Sequence, residues 1–127
     1  MNNQKFFICK HCGNLIGLID NHGVPMVCCG DKMTELKPNT VEASVEKHLP
    51  AVTVSKNTIT VKVGSVLHPM TAEHNITFVY VETELGGQRK CLKIGAEPKL
   101  SFSFSNDKPI AVYAYCNLHG LWKTEIK

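Results

Sequence analysis

The sequence predicts a mainly β protein in two parts, a short cysteine-stapled module followed by an antiparallel β-sandwich of about seven strands. Three observations predict it. Cys9, Cys12, Cys28 and Cys29 crowd the first thirty residues, whereas Cys91 and Cys116 stand alone. From Val41 onward apolar and polar residues alternate with period two, the mark of strands buried on one face. No stretch carries a convincing helical period.

Composition sets the outer limits. The 127 residues are 43% apolar and 20% charged, a globular balance with room for one ordinary domain or a small module attached to a domain. The net charge of +3 is too weak and too evenly spread to argue for nucleic acid, and mildly favours a small anionic substrate. Met1 to Lys10 lacks the apolar run of a signal peptide, and nowhere are there the roughly eighteen consecutive apolar residues of a membrane span. A soluble cytoplasmic protein is the expectation. In that reducing compartment the six cysteines are read as thiolates and metal ligands rather than disulfides.

Residues 1–36 are punctuated by Gly13, Gly17, Gly23, Pro25 and Gly30, and their apolar runs, Leu15 to Ile19 and Val24 to Val27, are short. That is too little core to fold unaided, so a staple is needed. The turn Asp20-Asn21-His22-Gly23 is expected to join two short strands. Residues 37–40, with Pro38 and Asn39, read as a linker, and residues 41–127 as the sandwich. Its strands are read from Val41-Ala43-Val45, Ile59-Val61-Val63, Ile76-Phe78-Tyr80, Arg89 to Ile94, Leu100-Phe102-Phe104, Ile110-Val112-Ala114 and Leu121 to Ile126. Gly86-Gly87 and Ser105-Asn106-Asp107 supply turns between them. An immunoglobulin-like arrangement is the economical one for such strands.

Cys9-Lys10-His11-Cys12-Gly13 is a CxxC knuckle, and Cys28-Cys29-Gly30 follows sixteen residues after Cys12 with its two thiols adjacent. A tetrathiolate site for zinc or iron is the strong reading, and a Cys28–Cys29 disulfide beside a two-thiol knuckle the weaker one. Adjacent ligands must open the angle that their sulfurs subtend at the metal. The pattern resembles desulforedoxin, and the resemblance implies one redox-active iron, since spacing alone does not separate iron from zinc.

Of six histidines, His11 lies inside the knuckle and His22 at a turn tip, and neither is read as a ligand. His48 lies in Glu46-Lys47-His48-Leu49-Pro50, while His68 and His74 bracket a loop whose Pro69 disfavours a helix. Cys116 and His119 are three apart in Cys116-Asn117-Leu118-His119-Gly120, a turn able to present sulfur and nitrogen to one ion. Singly, each of His48, His68 and His74 is better explained as a surface or satisfied residue than as a ligand. Together they fall at strand ends and loops, where the ligands of a sandwich gather.

The segments EKHLP, HPMTAEH and CNLHG resemble the signature segments of the superoxide reductases. With the tetracysteine module in front, the chain is similar to the desulfoferrodoxins, the two-iron class. The resemblance implies two iron ions per chain and neither haem nor flavin. Cys9, Cys12, Cys28 and Cys29 would hold one iron. His48, His68, His74 and His119 would bind the other equatorially with the Cys116 thiolate axial and the opposite position open.

It further implies that superoxide takes one electron there and, with two protons, leaves as hydrogen peroxide without forming oxygen. Lys47 is implied to attract superoxide and orient a water, and Glu46 to occupy the open position in the oxidised resting state. A solvated charge pair is the plain alternative for these two. Rubredoxin or a similar small redox protein is the implied electron donor, and a homodimer the implied assembly. The family pattern carries an aromatic where this chain has Asn75, and Cys91 has no metal role, being read as a buried small hydrophobe, with a reactive thiol as the lesser reading. Two other classes fit the residues alone: an electron-transfer iron protein without superoxide chemistry, and a zinc-stapled binding domain.

Overall fold

The computed structural model describes residues 4–126 and divides between Lys37 and Pro38 into two compact units. In the first, β1 (Lys5–Ile8) pairs antiparallel with β2 (Leu15–Leu18), while β3 (Val27–Cys28) and β4 (Asp31–Lys32) make a separate short ribbon. β5 (Thr34–Glu35) pairs with the other edge of β1. Alternation in Lys5-Phe6-Phe7-Ile8 turns Phe6 inward, and Phe6 and Cys9 are the only buried apolar residues of this unit among those described. Two such residues cannot offset the conformational entropy of more than thirty, so the cysteines must contribute through a bound ion.

The turn at residues 20–23 forms: the Gly23 N–H donates to Asn21 Oδ1 at 2.9 Å, with Gly23 at φ +79°. Its flanks, however, are not partners. β2 is already paired with β1, and residues 24–26 run without a ladder until β3.

The second unit contains α1 (Val45–His48), β6 (Pro50–Ser55), β7 (Thr58–Val63) and β8 (Ile76–Thr83). It continues with β9 (Gly86–Cys91), β10 (Lys99–Ser103), β11 (Pro109–Cys116) and β12 (Gly120–Glu125). One antiparallel sheet has the order β10-β7-β6 and the other β12-β11-β8-β9. Their inner faces meet in one core. Ile59, Val61, Val63 and Phe102 come from the first sheet, and Val79, Val81, Val112 and Ala114 from the second. Burying each of the larger aliphatic side chains is worth about 1.5–3 kcal/mol.

Three local expectations are corrected. The strand expected over Val41 to Val45 is irregular chain leading into one helical turn, because Val41 and Val45 are both exposed and have no sheet to cover. The strand of this region is β6 instead, begun by Pro50, whose missing N–H is harmless at a first position. Gly86 and Gly87 do not form the turn expected there but open β9, since Tyr80 lies so close across Gly87 that any Cβ would collide with its hydroxyl. Asn39, within the stretch read as a linker, is stitched to β12: its N–H donates to Leu121 O at 3.0 Å and its Oδ1 accepts from Lys123 N at 2.9 Å.

β7 ends at Val63, β8 starts at Ile76, β11 ends at Cys116 and β12 starts at Gly120. His48 immediately precedes β6, whose first residue is paired with the last of β7. The candidate ligands of this unit therefore belong to the connections at one end of the sandwich.

Candidate metal centres

In the first unit the knuckle closes through Gly13 N–H to Cys9 O at 2.8 Å, with Gly13 at φ +84°. The adjacent pair works because Cys29 adopts φ +53° and Gly30 φ +80°. In extended backbone, successive side chains point to opposite faces, and the left-handed turn brings the Cys29 thiol back beside that of Cys28. Cys12 Sγ is 3.6 Å from Cys28 Sγ, which is 4.0 Å from Cys29 Sγ. Tetrahedral sulfurs at about 2.3 Å from a metal are separated by about 3.8 Å. All six cysteines are free, so the Cys28–Cys29 disulfide is absent.

The four thiols compete for negative charge. Backbone N–H groups, first that of Cys12 and then that of His11, draw the Cys9 thiol down to about 6 against burial. Hydrogen bonds with the Cys12 and Cys9 thiols, followed by burial, push Cys28 up to about 12, and the same two thiols raise Cys29. Crowded sulfurs cannot all ionise in the absence of a cation, and a divalent ion removes the conflict. His11 instead bonds Asp31 at 2.5 Å, and His22 bonds Asp20 at 3.1 Å.

In the second unit the donor atoms of His48, His68, His74 and Cys116 all lie within 4.8 Å of one another. His119 completes the group: its Nδ1 is 3.1 Å from His48 Nε2 and 3.8 Å from Cys116 Sγ. The rings form a square. Successive centroids His48–His68, His68–His74, His74–His119 and His119–His48 are separated by 4.6, 4.5, 5.1 and 4.9 Å, whereas the diagonal His48–His74 measures 6.2 Å.

Backbone carbonyls fix two of these rings. His48 Nδ1 lies 2.6 Å from Ser44 O and His68 Nδ1 lies 2.7 Å from Pro69 O. A carbonyl only accepts, so each Nδ1 carries the proton and each Nε2 presents a lone pair to the cluster. The two Nε2 atoms are 3.2 Å apart. Metal–imidazole bonds of about 2.1 Å at right angles would set them about 3 Å apart. His74 Nε2 is buried without any hydrogen-bond partner. Facing lone pairs and an orphaned buried nitrogen are what a cation resolves, and the residues fit one.

Burial favours the neutral form, the one that binds a metal, at three of these imidazoles. It is the first cause lowering His48, His68 and His74, with His68 brought down to about 4. Lys47, exposed and next to His48 in the chain, adds its charge to the lowering at His48 and His74. Cys116 is fully buried, and burial raises its thiol while N–H groups of Leu118 and His119 act in the opposite direction. Glu46 is exposed; its carbonyl accepts from Val66 N at 3.0 Å and Ser65 Oγ at 3.2 Å. Cys91 belongs to neither group and is exposed, which corrects the expectation of a buried small hydrophobe there.

Several contributors escape a reading of the sequence. Trp122 packs its ring 5.1 Å from that of His48 and donates Nε1–H to His119 O at 3.2 Å. Gly64 lies so close under α1 that a Cβ would sit 2.5 Å from Glu46 O and 2.9 Å from Leu49 O. The Ser44 and Pro69 carbonyls leave no mark in a sequence, because every residue has one.

Residues 40–125 match the model of the desulfoferrodoxin family. The chain is 38% identical over 124 residues to the desulfoferrodoxin of Nitratidesulfovibrio vulgaris, covering 98% of both chains. It is similar in structure to the superoxide reductase from Treponema pallidum, with a TM-score of 0.82, 35% identity, and 98% of this chain and 100% of that one covered. The one-iron superoxide reductase from Giardia intestinalis aligns with 65% of this chain and 98% of its own, at a TM-score of 0.55 and 29% identity. A four-cysteine set and a four-histidine, one-cysteine set are consistent with the two iron centres of such a protein. The chain belongs to the desulfoferrodoxin family.

Proposed function

We propose that the chain is a superoxide reductase that reduces superoxide by one electron to hydrogen peroxide, without forming oxygen, at iron held by His48, His68, His74, His119 and Cys116. The observation that carries this reading is the donor set, a square of four imidazoles with one buried cysteine sulfur. Iron bound there would supply the electron, its remaining charge of +1 after one thiolate favouring an anionic substrate.

The residues around it have separable tasks. Ser44 O and Pro69 O hold two rings in the tautomer that leaves Nε2 free. The N–H groups of Leu118 and His119 stabilise negative charge on Cys116 in a site that would otherwise oppose it. Lys47, an exposed cation beside the square, steers superoxide inward and orients a water for proton delivery. Glu46, its backbone held by the 64–66 loop, supplies a carboxylate to the oxidised resting state.

In this reading the four-cysteine set holds the second iron, whose closed tetrathiolate shell passes electrons without binding substrate. A small redox protein such as rubredoxin delivers the electrons in a reducing cytoplasm. No helix among the described residues is long and apolar enough to cross a membrane. A homodimer is part of the reading, supported by the exposure of Ile19, Val24, Met26 and Val27 on a unit with so small a core.

Stopped-flow mixing of the reduced protein with superoxide tests the reaction. The expected result is a fast bimolecular development of the oxidised thiolate–iron absorption, with one hydrogen peroxide per iron and no oxygen. Spontaneous decay of superoxide beside unchanged protein would leave an electron-transfer role. Colourless protein holding zinc at both sites would leave a binding domain.

A further inference from the structure

We propose that the Asn117 carboxamide is a positioning clamp for His74, gripping the backbone on both sides of that ligand and locking it to the Cys116–His119 turn. This rests on the reading of those residues as ligands of one ion.

The clamp is visible in the hydrogen bonds. Asn117 Oδ1 accepts from the N–H of Asn75 at 2.8 Å, and Asn117 Nδ2 donates to Glu73 O at 2.9 Å. One side chain thus spans residues 73 and 75, with His74 between them. The Asn117 N–H also donates to Asn75 O at 3.2 Å. In an ordinary antiparallel pair the return bond would run to the main-chain carbonyl of Asn117. Here the side-chain carbonyl takes that place, one position beyond the last β11–β8 pair, Cys116 with Ile76. The ladder ends satisfied while the main chain is released to turn, and that turn carries His119 back over Cys116.

The opposite strand end is braced in the same way. Asn75 Nδ2 donates to Thr71 O at 2.9 Å and Ala72 O at 3.3 Å, and the His74 N–H donates to Thr71 Oγ1 at 3.0 Å. These bonds close residues 71–75 into a unit that Asn117 can hold as a whole.

His74 needs such a grip more than its neighbours do. His48 and His68 are oriented by their own Nδ1–H bonds, and the His119 carbonyl is held by Trp122. No comparable ring bond is made by His74 among the described residues, and its Nε2 is a buried orphan. Its imidazole is therefore placed by its backbone, which Thr71 holds directly, the Thr71 N–H also donating to His74 O at 2.9 Å, and which Asn117 ties through residues 73 and 75 to the Cys116–His119 turn. The clamp demands a carbonyl and an N–H on one short side chain, which asparagine has. Alanine removes both bonds, aspartate keeps only the acceptor, and glutamine is longer by a methylene.

The test is metal release from the iron-loaded full chain into a strong chelator, followed by the thiolate–iron absorption of the histidine site, with the four-cysteine iron as internal reference. Asn117→Ala should release iron from the histidine site about tenfold faster, since outer groups that orient a ligand are worth about 10–100-fold in metal affinity. The four-cysteine iron should be unaffected. Asn117→Asp, close in size and able to fold, should fall between parent and Asn117→Ala. In a His74→Ala background Asn117→Ala should add little, because the ligand through which it acts is gone. Release at the parent rate by both Asn117 variants overturns the clamp and leaves the ligand assignment standing. An equal acceleration in the His74→Ala background also overturns it, showing that Asn117 acts on the turn alone. A parent chain that holds no iron at the histidine site overturns both.

Discussion

His48 Nε2 faces His68 Nε2 at 3.2 Å, and both rings have already committed their Nδ1 protons to carbonyls, of Ser44 and Pro69. Two lone pairs at that distance repel unless a cation or a proton lies between them, and burial disfavours the proton. His68→Ala should therefore abolish metal at this site and spare the other. Metal analysis is expected to fall from two ions per chain to one, with the four-cysteine absorption retained.

The same burial makes the metal-free protein acid-sensitive. Burial brings His68 of the folded chain down to about 4, against an ordinary value of 6.5, so between those pH values the unfolded chain binds more protons. Folded stability of the metal-free form should decline as pH falls from 6.5 toward 4 and level off below. A displacement of this size corresponds to at most about 3 kcal/mol. Urea titrations of metal-free protein at several pH values measure it, and His68→Ala should flatten that slope.

Lys47→Ala should slow the reaction with superoxide about tenfold at low ionic strength, within the range of electrostatic steering, and weaken its salt dependence. Stopped-flow rates at a series of salt concentrations check both. An unchanged rate and salt slope would remove Lys47 from the encounter.

Cys29→Ser should cost the first unit its fold as well as its metal, because Phe6 and Cys9 are the only buried apolar residues there among those described. Limited proteolysis should then cut within residues 4–37, while the second unit keeps its core and its histidine-site absorption.

Gly64→Ala should be among the more costly single substitutions. The added carbon would stand 2.5 Å from Glu46 O and 2.9 Å from Leu49 O, both backbone atoms of the segment that carries Lys47 and His48. A loss of about 1–3 kcal/mol is expected for such overpacking, read from denaturant midpoints. Weaker metal retention at the histidine site should accompany it.

Much of the sandwich is legible in the chain because period-two alternation survives wherever a strand is covered on one face only. Thr58–Val63 reads in three dimensions as it does on paper, with Ile59, Val61 and Val63 inward. The alternation of Val41, Ala43 and Val45 misleads because the same pattern can arise where no sheet lies alongside, and only the partners of a segment decide. The Gly86-Gly87 pair misleads for a related reason: Gly87 makes room for Tyr80, a residue seven positions away in sequence.

The sequence by itself determined the donors. Four clustered cysteines point to a metal by their own spacing, whereas the four histidines in three short segments and the cysteine in CNLHG name a ligand set through their resemblance to the superoxide reductase segments. Tertiary structure alone decided how those donors face one another. The square of imidazoles, the tautomers set by Ser44 and Pro69, the seat at Gly64 and the Asn117 grip around His74 all depend on which strand ends meet at one end of the sandwich. Hydrogen-bond geometry falls off within fractions of an ångström, and no residue carries that information until folding brings its partner from far along the chain.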